Sequence, residues 1–187
     1  MAALVAEEWE AQTELINPPE MPVTRLVNVA VEQTVKHRET LVTEARNYAG
    51  TDLLCYRTSH PIDLARRQAD VWDPVLRWAA DQGVMLKTTQ TVKAIAQADA
   101  SLNAVADYAR KLDNFDLTLF VHLIALYGSA VLGMAVMKKH LSGEEAFALS
   151  RLDEIWQNEQ WGEDEEAKER TDKLRTEIVS LCRLLEE

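Results

Sequence analysis

The sequence predicts a mainly α fold in a single helical domain, with at most a small β element at about residues 53–56 and 84–89. Three observations carry that expectation. Apolar residues recur at spacings of three and four along most of the chain, the period that lines one face of a helix. The uncharged stretch from Leu117 to Met137 is far longer than a strand and suits a central helix buried on all sides by its neighbours. Ser142 and Glu145 form an S-x-x-E capping box, the clearest helix start in the chain. At 187 residues, 47% hydrophobic and 27% charged, residues 1–187 can bury a core as one domain.

Taken in order, residues 2–16 predict a helix with Ala2, Val5, Trp9 and Ile16 on its inner face, and Trp9 is read as structural. Asn17-Pro18-Pro19 ends it. Val27, Val31 and Val35 then recur every four residues, which favours helix, with strand the alternative that their β-branching allows. Leu41, Ala45 and Tyr48 keep helical spacing as far as Gly50, a good helix terminator.

The stretch from Asp52 to Gly83 organises the rest. Leu53 to Tyr56 reads as extended, and Ser59 and Pro61 suit the start of a helix carrying Ile62, Ala65, Ala69 and Trp72 on one face. Pro74 cannot donate to the preceding turn, so a break or kink is expected at Asp73-Pro74. Asp73 would then cap a second helix running to Gly83. Trp72 and Trp78, on either side of that break, are expected to form a structural corner of the core. Residues 84–89 are β-prone and could pair with 53–56. Leu102, Val105, Ala109 and Leu112 predict the next helix, followed by the apolar one over 117–139. The capping box opens a helix over 143–161, and Leu174, Ile178, Leu181 and Leu185 mark one face of a last helix.

The formal net charge of −11 opposes contact with phosphate backbones, so no nucleic-acid role is read here and a basic protein surface is the better partner. Two distant cysteines do not make a disulfide framework, and an N-terminus with three acids by residue 10 is neither a secretory signal nor a transit peptide. None of the four histidines follows a carboxylate by three residues, and HExxH and CxxC are missing, so neither metal ligands nor a cofactor is assigned. Two other readings remain open: a small enzyme with a site around Cys55, Arg57 and His60, or a membrane-attached protein using 117–137. The strongest charge feature is late. Between Asp153 and Glu169 eight acids face the single lysine Lys168, with Trp156 and Trp161 among them. Tryptophans rimmed by charge are common anchors at protein interfaces. Glu154 lies seven residues after Phe147 and seven before Trp161, a spacing that suggests an aromatic-flanked, partly desolvated acid.

The segments EWEAQTELINPPEMPVTRL (8–26), DLLCYR (52–57), RQADVWDPVLRWA (67–79) and LDEIWQNEQWGEDEEA (152–167) resemble the F(1)-ATPase assembly factor 2 family of mitochondria and α-proteobacteria. The resemblance runs over most of the chain, in order and with similar spacing. It implies a non-enzymatic chaperone that binds the α subunit of the ATP synthase catalytic head and keeps it from aggregating before it meets β; the chain itself is expected to be monomeric. It also implies that the functional acid of the family is Glu154 or its neighbour Asp153, and that Trp9 belongs to the Glu-Trp-x-x-Gln element. The family's smaller β-rich N-terminal domain is expected to be absent, since the chain begins almost at that element. The implied location is the cytoplasm of an α-proteobacterium, or the mitochondrial matrix in a eukaryote.

Overall fold

The computed structural model describes residues 1–186. Its helices are α1 (Ala2–Glu10), α2 (Pro22–Val29), α3 (Val35–Gly50), α4 (Ile62–Asp81), α5 (Asp99–Lys111), α6 (Asn114–Tyr127), α7 (Ala130–Met137), α8 (Gly143–Ser150), α9 (Leu152–Trp161) and α10 (Glu165–Cys182). Helix α6 is the hub and packs against α2, α3, α5, α7, α8 and α10. The expected β element shrinks to one parallel bridge between Tyr56 and Thr89. Arg57 N donates to Thr89 O and Thr89 N to Cys55 O, each at 2.8 Å, while Leu53–Cys55 itself winds into a 3-10 turn.

The apolar stretch 117–137 is two helices rather than one. Gly128 adopts the left-handed conformation (φ 67°), and Ser129 caps α7 by accepting a hydrogen bond from Leu132 N. The carboxylate of Asp52, fully buried, closes the break. Its Oδ1 accepts from Ser129 Oγ (2.8 Å) and Leu54 N (3.1 Å), and its Oδ2 from Val131 N (3.0 Å). One side chain thereby caps both the turn that follows α3 and the start of α7. Each half of the apolar stretch is buried by protein neighbours, and among the described residues no helix is long and apolar enough to cross a membrane.

Helix α4 shows the opposite correction, because it runs through Pro74 without a break. Proline deprives the Asp70 carbonyl of its helical donor. Both residues face outward, so water can meet that carbonyl. The inner face of α4 is Leu64, Gln68, Trp72, Val75 and Ala79, with Ile62 exposed. Trp72 is wholly buried and donates from Nε1 to Leu149 O (2.9 Å), whereas Trp78 is half-buried and stacks on His140 at 4.6 Å.

Two further faces sit one residue away from the expected ones. In α1, which ends at Glu10 and not near residue 16, Leu4 and Glu8 turn inward while Trp9 is 49% exposed and lies outside the core. Glu8 reaches across to accept from Val23 N (2.8 Å) and Thr24 N (2.7 Å), capping the first turn of α2. In the next stretch Leu26, Ala30 and Thr34 are buried, while Val31 and Val35 are 58% and 60% exposed. A repeat of four outruns the 3.6 residues of an α turn, and a π-helical segment at Ala30–Thr34 takes up the difference. Thr34 is held there by Thr118, their hydroxyls 2.6 Å apart.

The capping box forms as expected: Glu145 N donates to Ser142 Oγ (3.2 Å) and Ser142 N to Glu145 Oε2 (2.8 Å). The helix it opens stops at Ser150, since Arg151 leaves helical geometry (φ −104°, ψ 15°) before α9 begins. Replacing Ser142 by Ala is expected to cost about 1 kcal/mol. The denaturation midpoint measures it, and no change would mean that α8 does not depend on its cap.

Candidate functional site

Helix α9 sorts the late acids and tryptophans into two groups. Leu152 and Trp156 face inward. Trp156 Nε1 donates to Asp63 Oδ2 (3.1 Å), and the Asp153 carboxylate accepts from Gln68 Nε2 (2.8 Å). Arg67 pairs with Glu159 at 2.6 Å, so these residues form the seam between α4 and α9. Gln68 is itself buried and also accepts from Thr58 N, which gives this seam a polar centre with remote partners.

Glu154 and Trp161 point outward. Seven residues return a helix to almost the same angle, so the two share one face of α9. Trp161 is 75% exposed, and its ring packs at 84° to that of buried Trp156 with centroids 5.6 Å apart. Beyond it, Asp164 caps α10 by accepting from Ala167 N, and the acids of the first turn, Glu165 and Glu166, are exposed. Helix α10 buries only Ile178 and Leu181, both near its C-terminal end.

Glu154 is not the desolvated acid that the sequence spacing suggests. Its side chain is 54% exposed and pairs with Arg151 at 3.1 Å. The break at Arg151 puts Phe147 on a different helix, so Phe147 and Glu154 do not share a face. Arg151 carries no apolar periodicity, although its spacing of three from Glu154 is that of a helical ion pair. Its guanidinium also donates to Leu126 O (3.2 Å) in the last turn of α6 and lies 5.7 Å from the Phe147 ring centroid. Arg151, Asp153 and Glu154 border a cleft of about 340 Å³ also lined by Trp72 and Leu126.

The set Cys55, Arg57 and His60 does not assemble a nucleophile. Burial pushes the Cys55 thiol up to about 12, away from the thiolate that such chemistry needs. Arg57 is committed to Leu54 O and Asp73 and lies 5.1 Å from the Trp72 ring centroid, while His60 is exposed on its turn. Among the described residues no group of His, Cys, Asp and Glu could hold a metal ion.

The chain is similar in sequence and fold to known proteins. Residues 1–80 match the family described as ATP12 chaperone protein. The crystal structure of Atp12 from Paracoccus denitrificans is similar at a TM-score of 0.91 and 37% identity, over 99% of this chain and 80% of that one. The Atu1473 protein of Agrobacterium tumefaciens, a candidate chaperone, is similar at 0.93 and 37%, over 99% of this chain and 70% of that one. The mitochondrial protein atp12 of Schizosaccharomyces pombe is 24% identical over 180 residues, 90% of this chain, and the chain spans 62% of that relative's length.

Proposed function

Since the chain belongs to the ATP12 chaperone family, we propose that it binds the α subunit of the ATP synthase catalytic head and shields it from aggregation until β takes its place. The chaperone works as a monomer by contact alone, making and breaking no bond, in the cytoplasm of an α-proteobacterium or the matrix of a mitochondrion. The observation that best supports this reading is the outward face of α9, where exposed Trp161 rests edge-to-face on Trp156 and lies in line with Glu154. An aromatic anchor that already packs on a neighbouring ring loses less side-chain freedom when a partner covers it than a free one does. The acids around it favour a client surface carrying arginine or lysine. Glu154 is the acid that meets this surface, because it is exposed on the outward face of α9 while Asp153 is half-buried against Gln68 in the α4–α9 seam.

Titration of purified α subunit with parent and variants tests the reading. Trp161→Ala is expected to weaken binding by ~30-fold, the loss of a central aromatic anchor. Glu154→Lys reverses an exposed rim charge, so it should act mainly through slower association, ~10-fold at low salt and less at high salt. Both variants should melt as the parent does, because neither side chain is buried. Parent-like binding by both would remove this face of α9 from the client site, and so would a parent that failed to suppress light scattering by unfolding α subunit.

A further inference from the structure

The ion pair at the cleft beside α9 is local in the chain but has an unsatisfied member. Arg151 and Glu154 come from the same chain, three residues apart, and the arginine is held from three sides by Glu154, Leu126 O and the face of Phe147. Despite these partners its Nε is buried with no acceptor. A buried donor left without a partner is a standing cost that water or a new acceptor would relieve. The placement is thus favourable at the two ends of the guanidinium and unfavourable at its neck. Beside it, Asp153 offers only Oδ1 to Gln68, and the cleft of about 340 Å³ between Leu126, Gly128 and the start of α9 has room for a long side chain next to Arg151 and Glu154.

We infer that Arg151 is an internal stand-in for the client's cation, occupying Glu154 in the free chaperone and yielding part of that carboxylate when an arginine or lysine of the client enters the cleft. This rests on the proposal that α9 meets the client, and it adds how that site is regulated. Glu154 is kept neutralised until a partner competes for it, so surfaces carrying a single weak cation are rejected. Binding of the right segment swings the guanidinium toward water and lets Nε regain an acceptor. Arg151 is a positioning residue here: it acts through Glu154 and makes no contact of its own that the client needs.

The test is a double-mutant cycle on α-subunit affinity with R151M, E154Q and the pair together, at low salt. R151M is expected to bind about two- to fivefold more tightly than the parent, the range of an exposed ion pair removed as a competitor. In the E154Q background the same change should have no effect, which a purely structural role for Arg151 would not reproduce. R151K keeps a cation near Leu126 O but loses the fork that reaches both acceptors. It should fall between parent and R151M and serves if R151M melts early. Weaker or unchanged binding by both R151M and R151K, with E154K still weakened, overturns this inference and leaves the α9 site standing. Tightening by R151M that persists in E154Q also overturns it. If E154K and Trp161→Ala both bind as the parent does, the site itself is wrong and the inference falls with it.

Discussion

Trp72→Ala is expected to lower the unfolding free energy by roughly 3–5 kcal/mol, a large share of a domain's usual stability. The indole is fully buried, so its removal opens a cavity that its neighbours cannot fill. It also takes away the donor to Leu149 O, which joins the middle of α4 to the last turns of α8. The cation of Arg57, 5.1 Å from the ring centroid, loses its aromatic neighbour at the same time. Chemical denaturation at neutral pH measures the effect. Trp72→Phe separates the terms, since it restores most of the volume and leaves only the carbonyl without a donor, at about 1–3 kcal/mol. Trp78→Ala should cost less than Trp72→Ala, because Trp78 is only half-buried and its stacking partner His140 is exposed. A Trp72→Ala midpoint close to the parent's would show that this corner does not hold α4 and α8 together.

Asp52→Ala is expected to destabilise by a similar roughly 3–5 kcal/mol, by orphaning donors in place of leaving a cavity. Leu54 N, Val131 N and Ser129 Oγ all point at this carboxylate, and no water reaches it. The pH dependence carries its own sign. Burial pushes the Asp52 carboxyl up to about 6, against the hydrogen bonds from Val131, Ser129 and Leu54 that pull it down. In the unfolded chain it returns to about 4. The folded protein therefore takes up this proton first. The resulting stabilisation is fully present below about pH 4 and is lost as pH rises through about 6, a swing of roughly 3 kcal/mol. Asp52 thus opposes acid unfolding in that window. Stability measured from pH 7 down to 4 should fall more steeply in Asp52→Asn than in the parent. Parallel curves would mean that the carboxyl titrates as it does in the unfolded chain.

How far the fold could be read in advance depended on what kind of residue set each position. The Ser142–Glu145 box was legible because both partners lie within one turn, and the last helix was legible because Ile178 and Leu181 are apolar and buried as their spacing suggests. The break at Gly128-Ser129 was signalled by a residue free to take positive φ followed by a good cap, yet the uncharged run around it argued for continuity. Pro74 was a true local signal without a structural break, since its orphaned carbonyl lies on the wet side of α4. At the candidate site the exposed Trp161 and the acids stood out in the sequence, but the division of labour did not. That Asp153 turns to Gln68 and Glu154 to Arg151 depends on the position of α4 and on the break at Arg151.

The sequence by itself determined the helical class, most helix ends and a late acidic segment carrying tryptophans, because periodicity, caps and charge runs are local properties of the chain. Only the tertiary structure decided which of two adjacent stripes is buried in three of the segments. Leu4 and half-buried Glu8 won over Trp9, Ala30 and Thr34 over Val31 and Val35, and Leu64 and Gln68 over Ala65 and Ala69. In each case the winning stripe holds a polar residue that hydrophobicity would place outside. Each of those residues finds partners far along the chain: Glu8 the amides of Val23 and Thr24, Thr34 the hydroxyl of Thr118, Gln68 the carboxylate of Asp153. A buried polar group is costly only while it is unpaired, so its place is settled by neighbours that exist only once the chain has folded.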